Sequence, residues 1–234
     1  MNNKYIVTLI TVISILVGMT SVNIVAAQQK TMTDEELEKW LNSDKELVDP
    51  SKLINEGSLV FLSSPPETTP HQTKHAITIL PTSLTDGWVK LYQCHKNLDV
   101  MPAAQVVFSN KRVRKIRILS STNIKKVWIE NDTVQLKTIN KNAVLCIELE
   151  TKALWENSGN TYALKTGPYQ RRFLDGYFPV KLIVEIDYPE NLLDYINISP
   201  DLQSGLSVKR NTGSVKVDAL FEGKLNLVIN FDKK

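Results

Sequence analysis

The 234-residue chain predicts a mainly β protein. The expected form is an antiparallel β-sandwich, built as two sandwich-like units, with a short N-terminal α-helix behind a signal peptide. Three observations predict it. After residue 75 the chain breaks into short runs rich in Val and Ile, separated by turn-forming residues. Three late runs alternate apolar and polar residues, the mark of a strand with one buried face: 180–188, 215–221 and 225–231. No helical periodicity interrupts them, which favours sandwich architecture over alternating α/β units.

In chain order, residues 1–27 read as a secretory leader. Lys4 supplies the n-region charge, an apolar stretch follows Tyr5, and Ala26-Ala27 offers a cleavage site. An uncleaved anchor is the competing reading. Residues 28–74 read as a helix followed by a linker. Thr33 and Glu36 form a capping box, with Met32 and Leu37 as its staple, and Leu37, Trp40 and Leu41 make one apolar stripe. Pro65, Pro66 and Pro70 then favour extended, irregular chain.

Residues 75–155 are expected to form the first β unit. Its strands are placed at 75–80, 88–94, 104–108, 113–119, 125–130, 133–139 and 143–150, with Asp86-Gly87 and Asn131-Asp132 among the breaks. Cys94 and Cys146 are the two cysteines of the chain. In an exported protein an even count predicts a disulfide. Closing a loop of about 50 residues would contribute about 4 kcal/mol in the chain-entropy picture. Residues 156–234 are expected to form the second unit, an antiparallel meander. Asn211-Thr212-Gly213 joins two of its strands, and Glu222-Gly223 serves as a two-residue hairpin loop.

Composition restricts function more than it assigns it. The net charge is +3, from 28 basic and 25 acidic residues, too balanced to imply a nucleic-acid partner. No apolar run after the leader is long enough to span a membrane. The sequence contains no Gly-x-Ser-x-Gly elbow. Neighbours on a strand face opposite ways, so Cys94 and His95 cannot act as nucleophile and base. Glu148, Glu150, Glu185 and Asp187 occupy alternate strand positions where outward charges are ordinary.

Three groups remain as candidate sites. His71, His75 and His95, with Met101 further on, carry imidazole and thioether ligands that suit copper or zinc; the competing reading places these histidines on the surface at strand ends. The segment 167–179 concentrates Tyr169, Arg171, Arg172, Phe173, Tyr177 and Phe178, residue types enriched where proteins bind one another. The run 111–117 carries Arg112, Arg114 and Arg117, able to meet an acidic partner, or else to form a solvated strand edge. The leading expectation is an exported, periplasmic, non-enzymatic interaction or accessory protein without a cofactor. Its partner would be another envelope protein or an anionic envelope component. The alternatives are a copper- or zinc-binding protein using the three histidines, and a hydrolase of envelope polymers.

Overall fold

The computed structural model describes residues 55, 57–109, 111–157, 160–173 and 176–234. The expected leader and the helix at 32–48 lie outside them. The described chain is mainly β and its sheets are antiparallel but for one pair of strands.

Among the described residues fifteen strands and one helical turn follow in order. They are β1 (Val60–Phe61), β2 (His71–Thr78), α1 (Ser83–Asp86), β3 (Trp88–Leu98), β4 (Met101–Val107) and β5 (Val113–Glu130). Then come β6 (Thr133–Lys152), β7 (Leu154–Asn157), β8 (Thr161–Tyr169), β9 (Arg172–Phe173) and β10 (Gly176–Tyr177). The last are β11 (Val180–Asp187), β12 (Leu193–Ser199), β13 (Leu206–Asn211), β14 (Ser214–Glu222) and β15 (Leu225–Lys233). A nine-stranded sheet runs β1-β14-β11-β2-β3-β6-β4, with β13 also on β14 and β5 also on β6. A four-stranded sheet runs β12-β15-β8-β7, and β9 and β10 form a small hairpin.

The longest hairpin, β5–β6, merges strands that the sequence divides in four. Asn131 and Asp132 both take positive φ (46° and 58°), the geometry of a tight turn matched to strand twist, which Asn and Asp tolerate well. Positive φ at Lys115 and Asn123 accompanies shifts in the β5 register, so the strand bends without ending. The segment holding Pro65, Pro66 and Pro70 is irregular, as its prolines dictate. It is tied down by the Asn97 amide, which donates to the Thr69 carbonyl at 2.6 Å.

Two features depart from the sequence expectation. β2 begins at His71 and pairs parallel with β11, Val180 opposite His71 and Val184 opposite His75. The Glu222-Gly223 step is not a hairpin: β14 pairs with β11 and β13, whereas β15 pairs with β12 and β8 in the other sheet. Alternation identifies both strands but cannot say whether the turn between them folds back or crosses over. Gly223 sits at φ 84°, where a Cβ would lie 2.0 Å from the Ser58 carbonyl oxygen. The crossing therefore requires glycine.

One hydrophobic cluster takes residues from both sheets and from both sides of position 155. Leu182, Val184 and Ile186 of β11 and Val217 and Phe221 of β14 join Leu164 of β8 and Leu227, Ile229 and Phe231 of β15. Phe221 is fully buried and its ring centroid lies 6.4 Å from that of Phe61. Phe221→Ala is expected to cost about 3–5 kcal/mol, since neighbours fixed in two strands cannot collapse into the void; urea denaturation measures it.

Candidate functional site

The three histidines lie on adjoining strands and face the same way. Side chains alternate along a strand, so His71, Thr73, His75 and Ile77 share one face of β2. Thr73 lies opposite His95 and His75 opposite Gln93, so β3 adds Gln93 and His95 to that face. His75 and His95 are interior residues, 6% and 8% exposed, and His71 is half-buried at the start of β2. They line a cavity of about 690 Å³, which Ile77, Leu91, Val106, Phe108, Leu136 and Val180 wall with apolar surface. Tyr169 of β8 meets His75 edge-on, with ring centroids 4.9 Å apart.

A chain of hydrogen bonds crosses the polar end. Gln93 Nε2 lies 2.5 Å from His95 Nε2, and His95 Nδ1 lies 3.0 Å from His71 Nε2. His75 Nε2 lies 3.1 Å from Thr73 Oγ1. Burial removes the water that would stabilise imidazolium, so the rings stay neutral. Burial, with Arg171 nearby, lowers the His71 pKa to about 4, and burial alone lowers that of His75 to about 3. Burial, reinforced by the two neighbouring rings, holds His95 well below its ordinary value. Burial also pushes the Tyr169 hydroxyl up to about 12.

With the rings neutral, the orientation of the Gln93 amide sets the direction of the chain. The Gln93 amide donates to His95 Nε2, so the His95 proton is on Nδ1 and is donated to His71 Nε2. That leaves Gln93 Oε1 buried with no hydrogen-bond partner. Turning the amide over reverses every donor and acceptor in the chain. In either orientation one polar atom of the Gln93 amide is left buried and unpaired, which is costly.

The aromatic, arginine-rich segment divides. Tyr169 and Tyr177 are buried, each 8% exposed, so they do not share an exposed patch with Arg171 and Arg172. Arg171 binds Asp99 with both ends of its guanidinium, at 3.0 and 2.5 Å, and donates to the Pro179 carbonyl. Its guanidinium also lies over Phe173 and Phe178, which meet edge to face. Arg171 thus fastens the polar end of the cavity from outside. Arg171→Ala is expected to lower stability by about 2 kcal/mol, through lost charge-assisted bonds and packing; thermal denaturation reads it. Arg172 is exposed, lies over the Tyr177 ring and lines the cavity.

The basic run is engaged with its own fold. Arg114 and Lys115 both pair with Glu150, at 2.6 and 2.8 Å, and hold its carboxyl below the usual range. Arg117 pairs with Glu148, and Arg114 lies over the Trp88 ring. Glu185 is shared by Lys74 and Lys216. Arg112 is different: it donates to the Lys152 and Lys165 carbonyls and lines the cavity. Cys94 and Cys146 form the expected disulfide, directly opposite one another on β3 and β6 and on the face away from His95.

Among the described residues no group of three or more His, Cys, Asp or Glu is arranged to hold a metal ion. The described histidines bring two nitrogens, one each from His71 and His95, within 3.0 Å. Met101 packs against the hydrophobic core opposite Ile139. Thr73, Gln93 and Tyr169 belong to the cavity although the histidine spacing alone does not point to Thr73 or Gln93. The signal was present: His71-Gln72-Thr73-Lys74-His75 and Gln93-Cys94-His95 place polar residues at alternate positions that run on into Ile77 and Leu91. No protein-family model matches the chain, and no curated protein gives a significant match.

Proposed function

We propose that the protein is an exported, non-enzymatic binding protein of the envelope, and that it works by holding a ligand in the histidine-lined cavity. The observation that carries this reading is the lining itself. Its polar end is built from neutral imidazoles, an amide and hydroxyls, and its walls are apolar, the make-up of a small-molecule site. No carboxylate lines it among the described residues, whereas a glycosidase needs two and a serine triad needs one to orient its histidine. The shared core supports a single two-layer sandwich. The reading of residues 1–27 as a secretory leader supports the exported, envelope part of this proposal. Among the described residues no helix is long and apolar enough to cross a membrane.

Native mass spectrometry of protein purified gently from its host tests the reading. A small molecule bound one to one, and lost from an Ala104→Trp variant that fills the cavity, is the expected result. Protein free of any adduct, with turnover of an envelope polymer, would overturn it.

Copper or zinc binding is the second reading, favoured by the 3.0 Å approach of His71 and His95. Elemental analysis of the same preparation decides it: stoichiometric metal that disappears in His95→Ala supports this reading, and metal-free protein rejects it.

A further inference from the structure

We propose that the cavity takes a single-chain, long-chain carboxylate, its hydrocarbon against Leu91, Val106 and Phe108 and its carboxylate at a mouth lined by Arg112, Lys165 and Arg172. This inference rests on the binding reading above and names the ligand class.

Charge carries it first. The lining holds three side chains that are cationic at neutral pH, Arg112, Lys165 and Arg172, and no anionic one among the described residues. Among the cations outside the lining, Arg114, Lys115 and Arg117 each pair with a glutamate, and Arg171 pairs with Asp99. Lys165 and Arg172 are exposed, and neither forms an ion pair with a carboxylate among the described residues. An anion at the mouth would be drawn by both, and Arg adds the planar fork that suits a carboxylate.

Shape and polarity carry it next. About 690 Å³ of space with mainly apolar walls has room for one hydrocarbon chain. Gln105 and Gln170, both exposed, also line the cavity. A charged group cannot sit deep among Ile77, Leu91 and Leu136 without losing its hydration. The ligand must therefore be apolar inside and anionic at the rim, which is the description of an amphiphile with one chain. A doubly charged or fully polar molecule would leave the apolar wall against polar groups.

Isothermal titration of the purified, delipidated protein with palmitate and with hexadecanol tests this. The two probes share a chain and differ in charge. Palmitate is expected to bind one to one and about tenfold more tightly than hexadecanol. In Lys165→Gln/Arg172→Gln, both changes at exposed positions, the gap should close while hexadecanol binding is unchanged. Circular dichroism checks that the variant is folded. Equal binding of both probes by the unaltered protein overturns the proposal. So does preference for two-chain phosphatidylglycerol vesicles over palmitate. A different small molecule found in the cavity by native mass spectrometry overturns the ligand class and leaves the binding reading intact. A cavity that holds nothing from the host and binds neither probe removes both.

Discussion

Acidification from pH 7 to pH 5 is expected to destabilise this protein far more than its surface charges would. Three histidines are held neutral in the fold, with His71 lowered to about 4 and His75 to about 3, and with His95 lowered as well. In the unfolded chain each takes a proton near pH 6.5. Above 6.5 both states are neutral and the histidines add no pH dependence. Below it the unfolded state binds protons that the folded state refuses, so stability falls as pH falls. The loss continues until the pH reaches each folded pKa. The slope is about 1.4 kcal/mol per pH unit for each histidine, approaching about 4 kcal/mol for three. The groups facing them do not cancel this: Arg171 opposes protonation of His71, and Asp99 favours it to a lesser degree. Glu150 and Glu185, each lowered by two cations, add their own loss only as the pH drops below the ordinary carboxylate range. Urea midpoints measured at pH 7.5, 6.5, 5.5 and 4.5 should therefore decline steeply from 6.5 downward. His75→Gln should flatten the curve by about one third.

The second large effect is expected from the disulfide. Cys94 and Cys146 close a loop with a sequence separation of 52, which contains β4, β5 and most of β6. Replacing both with alanine is expected to cost about 2–4 kcal/mol, chiefly by freeing that loop in the unfolded chain. The bridge also has a local role. Its Cα atoms stand 4.2 Å apart on neighbouring strands, so it pins β3 to β6 at the position next to His95 and Gln93. The double variant should therefore show earlier histidine protonation as well as a lower urea midpoint. A midpoint unchanged within error would mean that the strand pairing alone holds the register.

Much of this fold is legible in the sequence because alternation is a local property. Val180, Leu182, Val184 and Ile186 announce a buried face, and so do Leu225, Leu227, Ile229 and Phe231. The disulfide is legible because the chain has two cysteines, each within a strand-forming run, and one way to pair them. What is not legible is long-range. Whether Glu222-Gly223 turns back or crosses depends on Ser58, more than 160 residues away in sequence. The start of β2 at His71 depends on Val180 lying alongside it in parallel. The histidines illustrate both sides. Their spacing attracts attention, yet their burial follows from packing, that of His75 against Tyr169 and of His95 against His71 and Gln93, and their neutrality follows from burial. The arginine-rich segment misleads for a related reason. Arg, Tyr and Phe are enriched in interfaces between proteins, but here Arg171 and its aromatic neighbours make the same contacts within one chain.

The chain has three histidines, so their side-chain resonances can be assigned without ambiguity, and they report directly on the cavity. The measurement is a nitrogen-15 imidazole NMR titration of the folded protein from pH 8 to pH 5, with and without the bound ligand. None of the three should take up a proton above about pH 5, His95 and His71 should carry their protons on defined nitrogens, and ligand should shift the His95 and His71 signals together. Ordinary titration near pH 6.5 at any of the three would contradict the buried cavity, and the binding function built on it would fall.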